Sequence, residues 1–358
     1  MVPREHAWIL CLVLLGSCGD SHSEATGSRK VVDPDRPIGK PVRIAAPLGL
    51  PPVPVPENNP LTAETIALGE KLYFSPLLSV DRTLSCASCH DPKLGFADGK
   101  PVSTGVGKKQ GKRNAPTVLN AAYNGSQFWD GRAATLEAQA SGPMLNMVEM
   151  AHTLEGVVER CQDDPQLRAM VTKAFGPGPV TIDQVTKAIA SYERTLLSGN
   201  SAFDRFFYAS DAKALTASAR RGLEVFRDPK KGNCSTCHTL ESTYALFSDQ
   251  KFHNLGVGMN AKGELTDLGR YIQTMQEEDQ GTFRTPSLRN VALTAPYMHD
   301  GSLKTLKEVV DFYVAGGNSN DHLDKDIKKL ELTKQEREDL VAFLQSLTGE
   351  MPVTPETK

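Results

Sequence analysis

Apolar side chains recur with a helical period through most of the chain beyond residue 60. The stretches LTAETIALGEKLYF at residues 61–74 and LTASARRGLEVF at residues 215–226 share this spacing, and each leads into a Cys-x-x-Cys-His sequence. The repetition predicts an internal duplication in which a helix precedes each Cys-x-x-Cys-His motif.

Two further segments predict helices, and few alternating strand patterns compete with them. Thr333 and Glu336 form a capping box at the start of the last segment. The chain is therefore expected to be mainly α-helical. The apolar positions are Ile182, Val185, Ile189, Tyr192 and Leu196 in one segment and Leu340, Phe343, Leu344 and Leu347 in the other.

The composition is that of an ordinary globular protein. Of 358 residues, 39% are hydrophobic and 23% charged, and the formal net charge is -3. These values exclude a disordered chain and a basic nucleic-acid-binding surface, so no nucleic acid is expected as a partner. The chain beyond residue 60 is long enough for about two domains that each bury a core.

The first residues have the pattern of an export signal. A short apolar run, AWILCLVLL, follows Arg4 and ends in LLGSC, which resembles the lipobox of bacterial lipoproteins. Acylation of Cys18 would anchor the mature protein to a membrane and place it in the periplasm. A plain signal peptide with a coincidental cysteine is the alternative. The following segment contains PLGLPPVPVPENNP, which predicts an extended tether without helix.

Two Cys-x-x-Cys-His motifs carry the chemistry of the chain. In covalent c-type haem, two thiols bind the vinyl groups as thioethers and the adjacent imidazole ligates the iron. Structural zinc or a disulfide is the alternative, but zinc does not require a histidine directly after each second cysteine. The predicted haem-binding residues are Cys86, Cys89 and His90 in the first motif and Cys234, Cys237 and His238 in the second.

Three more motifs complete a resemblance to a known family. They are RNAPTVLNAAYNGSQFWDGRA at 113–133, MVEM at 147–150 and TPSLRNVALTAPYMHDGSL at 285–303. With the haem motifs, they resemble the bacterial di-haem cytochrome c peroxidases and their MauG-type relatives. The resemblance implies two cytochrome c-like helical domains, each with one covalent c-type haem. It also implies hydrogen peroxide as substrate, a small electron-donor protein (cytochrome c or cupredoxin) or a protein substrate as partner, and it is compatible with a homodimer.

This organisation divides the chain into five predicted segments. They are a lipoprotein signal peptide at 1–18, a proline-rich tether at 19–60, an N-terminal peroxide-binding haem domain at 61–205, a C-terminal electron-transfer haem domain at 206–350 and a tail at 351–358.

The resemblance assigns roles to individual residues. His90 and His238 would be the proximal ligands of the N-terminal and C-terminal haems. Glu149 falls at the position of a distal carboxylate, which suits proton transfer during peroxide cleavage. Trp129 falls at the position of an aromatic residue between the haems, where it would relay electrons or pack as core.

A calcium ion between the domains is also implied. Asn114 and the backbone carbonyls of Thr294 and Pro296 fall where the family binds this ion. Oxygen ligands from distant segments suit a hard cation.

Two positions depart from the typical peroxidases. Val106 stands where resting peroxidases have a histidine that occludes the peroxide-binding iron, so the N-terminal haem is expected to be open. Tyr313 stands where peroxidases have the methionine ligand of the C-terminal haem and MauG-type enzymes have tyrosine. Met298 is the rival ligand, and no side-chain ligand from this region is the third alternative. With Tyr313 as the ligand, His299 would be structural or would support the ligands.

These features favour a di-haem peroxidase. A MauG-type enzyme that oxidises a side chain of a partner protein is the alternative, and it is favoured by Val106 and Tyr313. A plain electron-transfer cytochrome is the weakest reading, since a carrier needs neither an open haem nor Glu149.

Overall fold

The computed structural model of the protein describes residues 33–353. The predicted signal peptide with Cys18 and most of the tail lie outside the described residues. The helices are α1 (Ala63–Tyr73), α2 (Leu136–Leu145), α3 (Leu154–Asp163), α4 (Pro165–Phe175), α5 (Ile182–Glu193), α6 (Ala202–Tyr208), α7 (Ala217–Arg227), α8 (Tyr271–Thr274), α9 (Leu306–Ala315) and α10 (Lys334–Gln345), and the strands are β1 (Phe252–His253) and β2 (Phe283–Arg284).

The prediction of a mainly helical chain is confirmed. Within residues 33–353 the only strands are β1 and β2, which have two residues each. They pair antiparallel, with Phe252 opposite Arg284 and His253 opposite Phe283. Each predicted helix forms, and the capping box of Thr333 is present at the start of α10. The pattern that reaches Leu196 is helical only to Glu193, because the chain turns at Arg194.

The N-terminal half is organised by the contact of α1 with α5. Gly69 of α1 lies directly against the carbonyl oxygen of Ala188 in α5, so the two backbones approach too closely for any side chain. Helices α2, α3 and α4 close the remaining sides of a core that contains Leu68, Leu72, Val157, Leu167, Val185 and Ile189.

The C-terminal half repeats this arrangement with α7 and α10. Gly222 of α7 lies against the carbonyl oxygen of Asp339 in α10, in the same way that Gly69 meets α5. The duplication predicted from residues 61–74 and 215–226 therefore includes the glycine at the helix crossing. The core here is aromatic, with Phe203, Phe226, Phe247 and Phe343 fully buried.

The segment before α1 is extended as predicted, but its described part is not a free tether. The carbonyl of Pro51 accepts a hydrogen bond from Tyr123 in the N-terminal half, at 2.9 Å. The carbonyl of Gly49 accepts one from Arg289 in the C-terminal half, at 2.5 Å. Arg289 also forms an ion pair with the fully buried Asp204. The prediction of a spacer is thus wrong for this part of the chain, which binds to both halves.

Among the described helices, none is long and apolar enough to cross a membrane.

We predict that Gly69→Ala and Gly222→Ala each destabilise the folded protein. The new methyl group would overlap the backbone of the facing helix and push α1 from α5 or α7 from α10. Overpacking of this kind costs about 1–3 kcal/mol. Denaturant unfolding of the haem-loaded protein measures the change. Gly125→Ala is the matched control, since a methyl group there meets only ordinary contacts at 3.6 Å or more. Equal stability of all four proteins would contradict the prediction.

Candidate haem sites

The first haem motif forms a tight turn that follows α1. The backbone N–H of His90 donates to the carbonyl of Cys86 at 3.0 Å, which places the imidazole one turn after the first thiol. The imidazole Nδ1–H donates to the carbonyl of Phe96 at 3.3 Å. Because Nδ1 is used in this bond, Nε2 is the nitrogen left to ligate a metal. Burial lowers the pKa of His90, which favours the neutral imidazole that a metal requires.

The second haem motif has the same construction. The N–H of His238 donates to the carbonyl of Cys234 at 2.9 Å, and the imidazole Nδ1–H donates to the carbonyl of Phe247 at 2.8 Å. Burial also lowers the pKa of His238. Both histidines therefore present Nε2 as a neutral ligand.

Phe96 and Phe247 are functional residues that the sequence reasoning missed. Both are fully buried, and both have a positive φ, 57° and 51°, which turns their carbonyls toward the imidazoles. A signal was present, because each heads a Phe-x-Asp sequence behind its motif, with Asp98 in the first copy and Asp249 in the second.

The motif side chains do not form a zinc site. Within residues 33–353, one group of three potential ligands comes together, and it joins Cys237 with Asp249 and His253 rather than with His238. Both nitrogens of His253 are already hydrogen-bonded to carboxylates, at 2.5 Å to Asp324 and 3.0 Å to Asp249. Thiols and imidazole that stay apart within each motif suit a large planar group and do not suit a tetrahedral ion.

A large cavity with mostly apolar walls lies beside the second motif, which supplies Cys234, Cys237 and His238 to its lining. Tyr313 of α9 and Met298 both line this cavity. Both candidate ligands of the C-terminal haem therefore face the volume in which that haem would sit. Burial, followed by the charges of the neighbouring thiols, raises the pKa of Tyr313.

Glu149 and Val106 come together beside the first motif. The N–H of Val106 donates to the carbonyl of Glu149 at 2.8 Å. Asn146 fixes the carboxylate of Glu149 through a 2.6 Å hydrogen bond from its amide. Burial raises the pKa of Glu149, against lowering contributions from Asn146 and Arg132. Burial raises the pKa of the Cys89 thiol, followed by the charge of Asp98 and, more weakly, that of Glu149.

Trp129 lies where the two halves of the chain meet. Its indole N–H donates to the carbonyl of Asn114 at 2.9 Å, and its own carbonyl accepts from the N–H of Arg284 in β2 at 2.8 Å. The indole also lines the cavity of the second motif.

An ion-pair network crosses the same junction. Arg113 bonds Asp130 at 2.6 Å and Asp267 at 2.7 Å, and its guanidinium lies over the ring of Phe283. Charged pairs that are half-buried hold their geometry better than exposed ones. The network fixes the loop that carries Trp129.

The three residues expected at a calcium site, Asn114, Thr294 and Pro296, all line the cavity beside the second motif. The side-chain amide of Asn114 donates to the carbonyl of Lys100 at 2.8 Å, which fixes the amide nitrogen and leaves its oxygen for another partner.

Comparisons with known proteins agree with this geometry. Residues 63–213 match the sequence model described as di-haem cytochrome c peroxidase, and residues 219–348 match the cytochrome c model. MauG, the methylamine utilization protein of Methylophilus methylotrophus, is 38% identical over 309 residues, covering 85% of this chain and 90% of that protein. Cytochrome c551 peroxidase of Pseudomonas aeruginosa is 38% identical over 310 residues, covering 84% of each.

A solved structure shares the fold. It is the crystal structure of a MauG-like protein associated with microbial copper homeostasis, which superposes with a TM-score of 0.78 at 32% identity and covers 87% of this chain and 97% of that one. With two haem motifs of matching geometry, this similarity shows that the chain carries two c-type haems. The chain belongs to the family of di-haem cytochrome c peroxidases and MauG proteins.

Proposed function

We propose that the protein reduces hydrogen peroxide at the N-terminal haem with electrons that enter through the C-terminal haem. The observation that carries the proposal is the pairing of Glu149 with Val106 beside the first motif. Bound haem supplies an iron that exchanges electrons with peroxide and with a donor. The donor would be a small protein, either a cytochrome c or a cupredoxin.

Glu149 is proposed as the proton carrier. Cleavage of the peroxide O–O bond requires a proton to move from one peroxide oxygen to the other, which departs as water, and Glu149 would carry that proton. A carboxylate accepts and then releases the proton if its pKa lies close to the working pH, and burial moves the pKa of Glu149 in that direction. Asn146 holds one oxygen, so the other is available to the substrate.

Val106 is proposed to leave the distal side of the first haem open. An aliphatic side chain cannot ligate iron, and Val106 is buried against the turn that carries Glu149. Peroxide therefore needs no prior displacement of a protein ligand.

Trp129 is proposed as the electron relay between the haems. Its indole N–H donates to Asn114, its backbone carbonyl accepts from Arg284, and the residue lines the cavity of the second motif. A rigid, half-buried aromatic ring at the junction shortens the gap that an electron must cross.

A MauG-type reaction on a side chain of a partner protein is the second candidate. It is favoured by Tyr313, which lines the cavity of the second motif. A phenolate opposite His238 would stabilise the oxidised iron and lower the reduction potential of this haem, whereas methionine would raise it. A low potential favours storage of oxidising equivalents for a slower reaction at a distance.

We further propose a calcium ion at the junction, held by the side-chain oxygen of Asn114 and the carbonyls of Thr294 and Pro296. The proposal is supported by their shared cavity and by the fixed amide orientation of Asn114. Because the oxygen ligands come from both halves, the ion would hold the two halves together beside Trp129.

Export to the periplasm and a lipid anchor at Cys18 are proposed from the sequence, since Cys18 lies outside the described residues.

We predict that the fully oxidised protein reacts with hydrogen peroxide without prior reduction, and that Glu149→Gln slows this reaction about 10²–10⁴-fold. The amide keeps the size of the side chain but cannot carry the proton. Stopped-flow absorbance of the haem bands measures the rate. Glu155→Gln, an exposed neighbour in α3, is the matched control and should react at the normal rate. If the protein reacts only after prior reduction, another residue occupies the peroxide-binding position of the N-terminal haem.

Exchange of the ligand at the second haem distinguishes the two candidate reactions. Tyr313→Met should raise the reduction potential of the C-terminal haem, because a neutral thioether stabilises oxidised iron less than a phenolate does. Met298→Leu should leave the spectrum and the potential unchanged. Spectroelectrochemical titration measures both. Loss of ligation in Met298→Leu with retention in Tyr313→Phe would assign the haem to the methionine-ligated type of ordinary peroxidases.

Acylation at Cys18 predicts that Cys18→Ala releases the protein from the membrane fraction. The control is Ser17→Ala, which keeps a small residue before the cysteine and should stay membrane-bound. Cell fractionation followed by immunodetection gives the share of the protein in the membrane and soluble fractions. If the protein without substitutions is found in the soluble fraction, the anchor is ruled out.

A further inference from the structure

Two buried nitrogen atoms in the cavity of the second motif lack hydrogen-bond partners among the described residues. They are Nε of Arg284 and Nε2 of His299, whose residues are 6% and 4% exposed. A buried donor without a partner costs about 1–3 kcal/mol, so such atoms rarely persist unless something binds them.

The charge of Arg284 is also unbalanced by protein groups. Its Nη1 donates to the side-chain oxygen of Asn124 at 3.3 Å and to the carbonyl of Thr285 at 3.2 Å, which are neutral. Between residues 33 and 353, no carboxylate forms an ion pair with it, whereas the equally buried Arg289 is paired with Asp204. Burial lowers the pKa of Arg284 to about 10, so the guanidinium remains charged at neutral pH. A buried cation of this kind requires an anion.

The cavity identifies that anion. Arg284 and His299 line the same volume as Cys234, Cys237 and His238, which attach the C-terminal haem. Each c-type haem carries two propionate carboxylates, which must be placed somewhere in a largely apolar cavity. Lys328 and His253 also line the cavity, but Lys328 is exposed and both ring nitrogens of His253 are bonded to carboxylates. Arg284 and His299 are therefore the buried lining residues with a nitrogen left to serve as counter-ion and as N–H donor.

We infer that Arg284 and His299 bind the propionates of the C-terminal haem, Arg284 through an ion pair and His299 through its Nε2–H. The inference rests on the proposed function only in that a haem fills this cavity.

The same two residues hold the proposed relay. The backbone N–H of Arg284 donates to the carbonyl of Trp129 at 2.8 Å. The carbonyl of His299 accepts from the N–H of Asn114 at 2.7 Å, and the carbonyl of Asn114 accepts from the indole at 2.9 Å. His299 is kept in place by Phe283, whose ring stacks on the imidazole at 3.6 Å. Arg284 and His299 are thus positioning residues that would link the haem edge to Trp129.

Removal of the guanidinium should change the reduction potential of the C-terminal haem and not that of the N-terminal haem. A positive charge beside a propionate disfavours oxidised iron, so Arg284→Gln should shift the reduction potential of this haem downward while the N-terminal haem keeps its own. Arg284→Lys should retain most of the potential but alter the propionate bending band in the resonance Raman spectrum. His299→Gln should move that band with a smaller change in potential. Both readouts are independent of peroxide turnover.

The control is Arg227→Gln, which removes an exposed arginine of α7 in the same half and should leave both readouts unchanged. Haem content by mass is measured for every variant, since loss of a haem would test the proposed function instead. If Arg284→Gln does not fold, Arg284→Lys and His299→Gln decide through the Raman band. An unmoved potential and band in variants with two haems would overturn the inference. A potential of the unmodified protein that follows chloride concentration would also overturn it, by identifying a small anion as the partner of Arg284.

Discussion

The hydrogen bond from each proximal imidazole to a buried phenylalanine carbonyl is the constraint on which both haem sites depend. His90 bonds Phe96 and His238 bonds Phe247, and in each case the carbonyl is aimed by a backbone with positive φ. A ring that donates from Nδ1 has one orientation and one free nitrogen, so the iron ligand is fixed before the metal binds. Bonds to the histidine also raise its basicity, which favours the oxidised state of the iron. The rings of Phe96 and Phe247 are fully buried in the core and hold these carbonyls in place. The orientation of each imidazole therefore depends on the packing of the core.

The junction between the halves is built from polar contacts that converge on Trp129. Arg113 pairs with Asp130 and Asp267 across it, and Arg284 holds the tryptophan backbone from the C-terminal side. The segment at residues 34–60 reinforces the junction from outside, with Gly49 bound to one half and Pro51 to the other. Electron transfer between two haems depends steeply on distance, and this network limits how far that distance can vary.

The same scaffold serves two reactions in the family, and the difference lies in few side chains. The relatives include both a cytochrome c551 peroxidase and MauG, at equal identity of 38%. Similarity of fold therefore does not choose between them, because the fold supplies only the two haems and their spacing. Under the proposed function, the choice would depend on which residue ligates the second iron and on what covers the first, so Tyr313 and Val106 are the positions to test.

The sequence by itself determined the helices, the duplication and the two haem motifs. Apolar period, the capping box of Thr333 and the Cys-x-x-Cys-His spacing are local signals that need no knowledge of the rest of the chain. Tertiary structure decided what depends on distant segments meeting. Composition predicts an extended proline-rich tether before α1, but it cannot show what that segment packs against. Phe96 and Phe247 act through backbone carbonyls, so the Phe-x-Asp sequence behind each motif marks their position but does not reveal the bond to the imidazole. The importance of Arg284 became visible only from its burial and from the absence of a carboxylate partner among residues 33–353, because a sequence shows neither how deeply an arginine is buried nor what lies beside it.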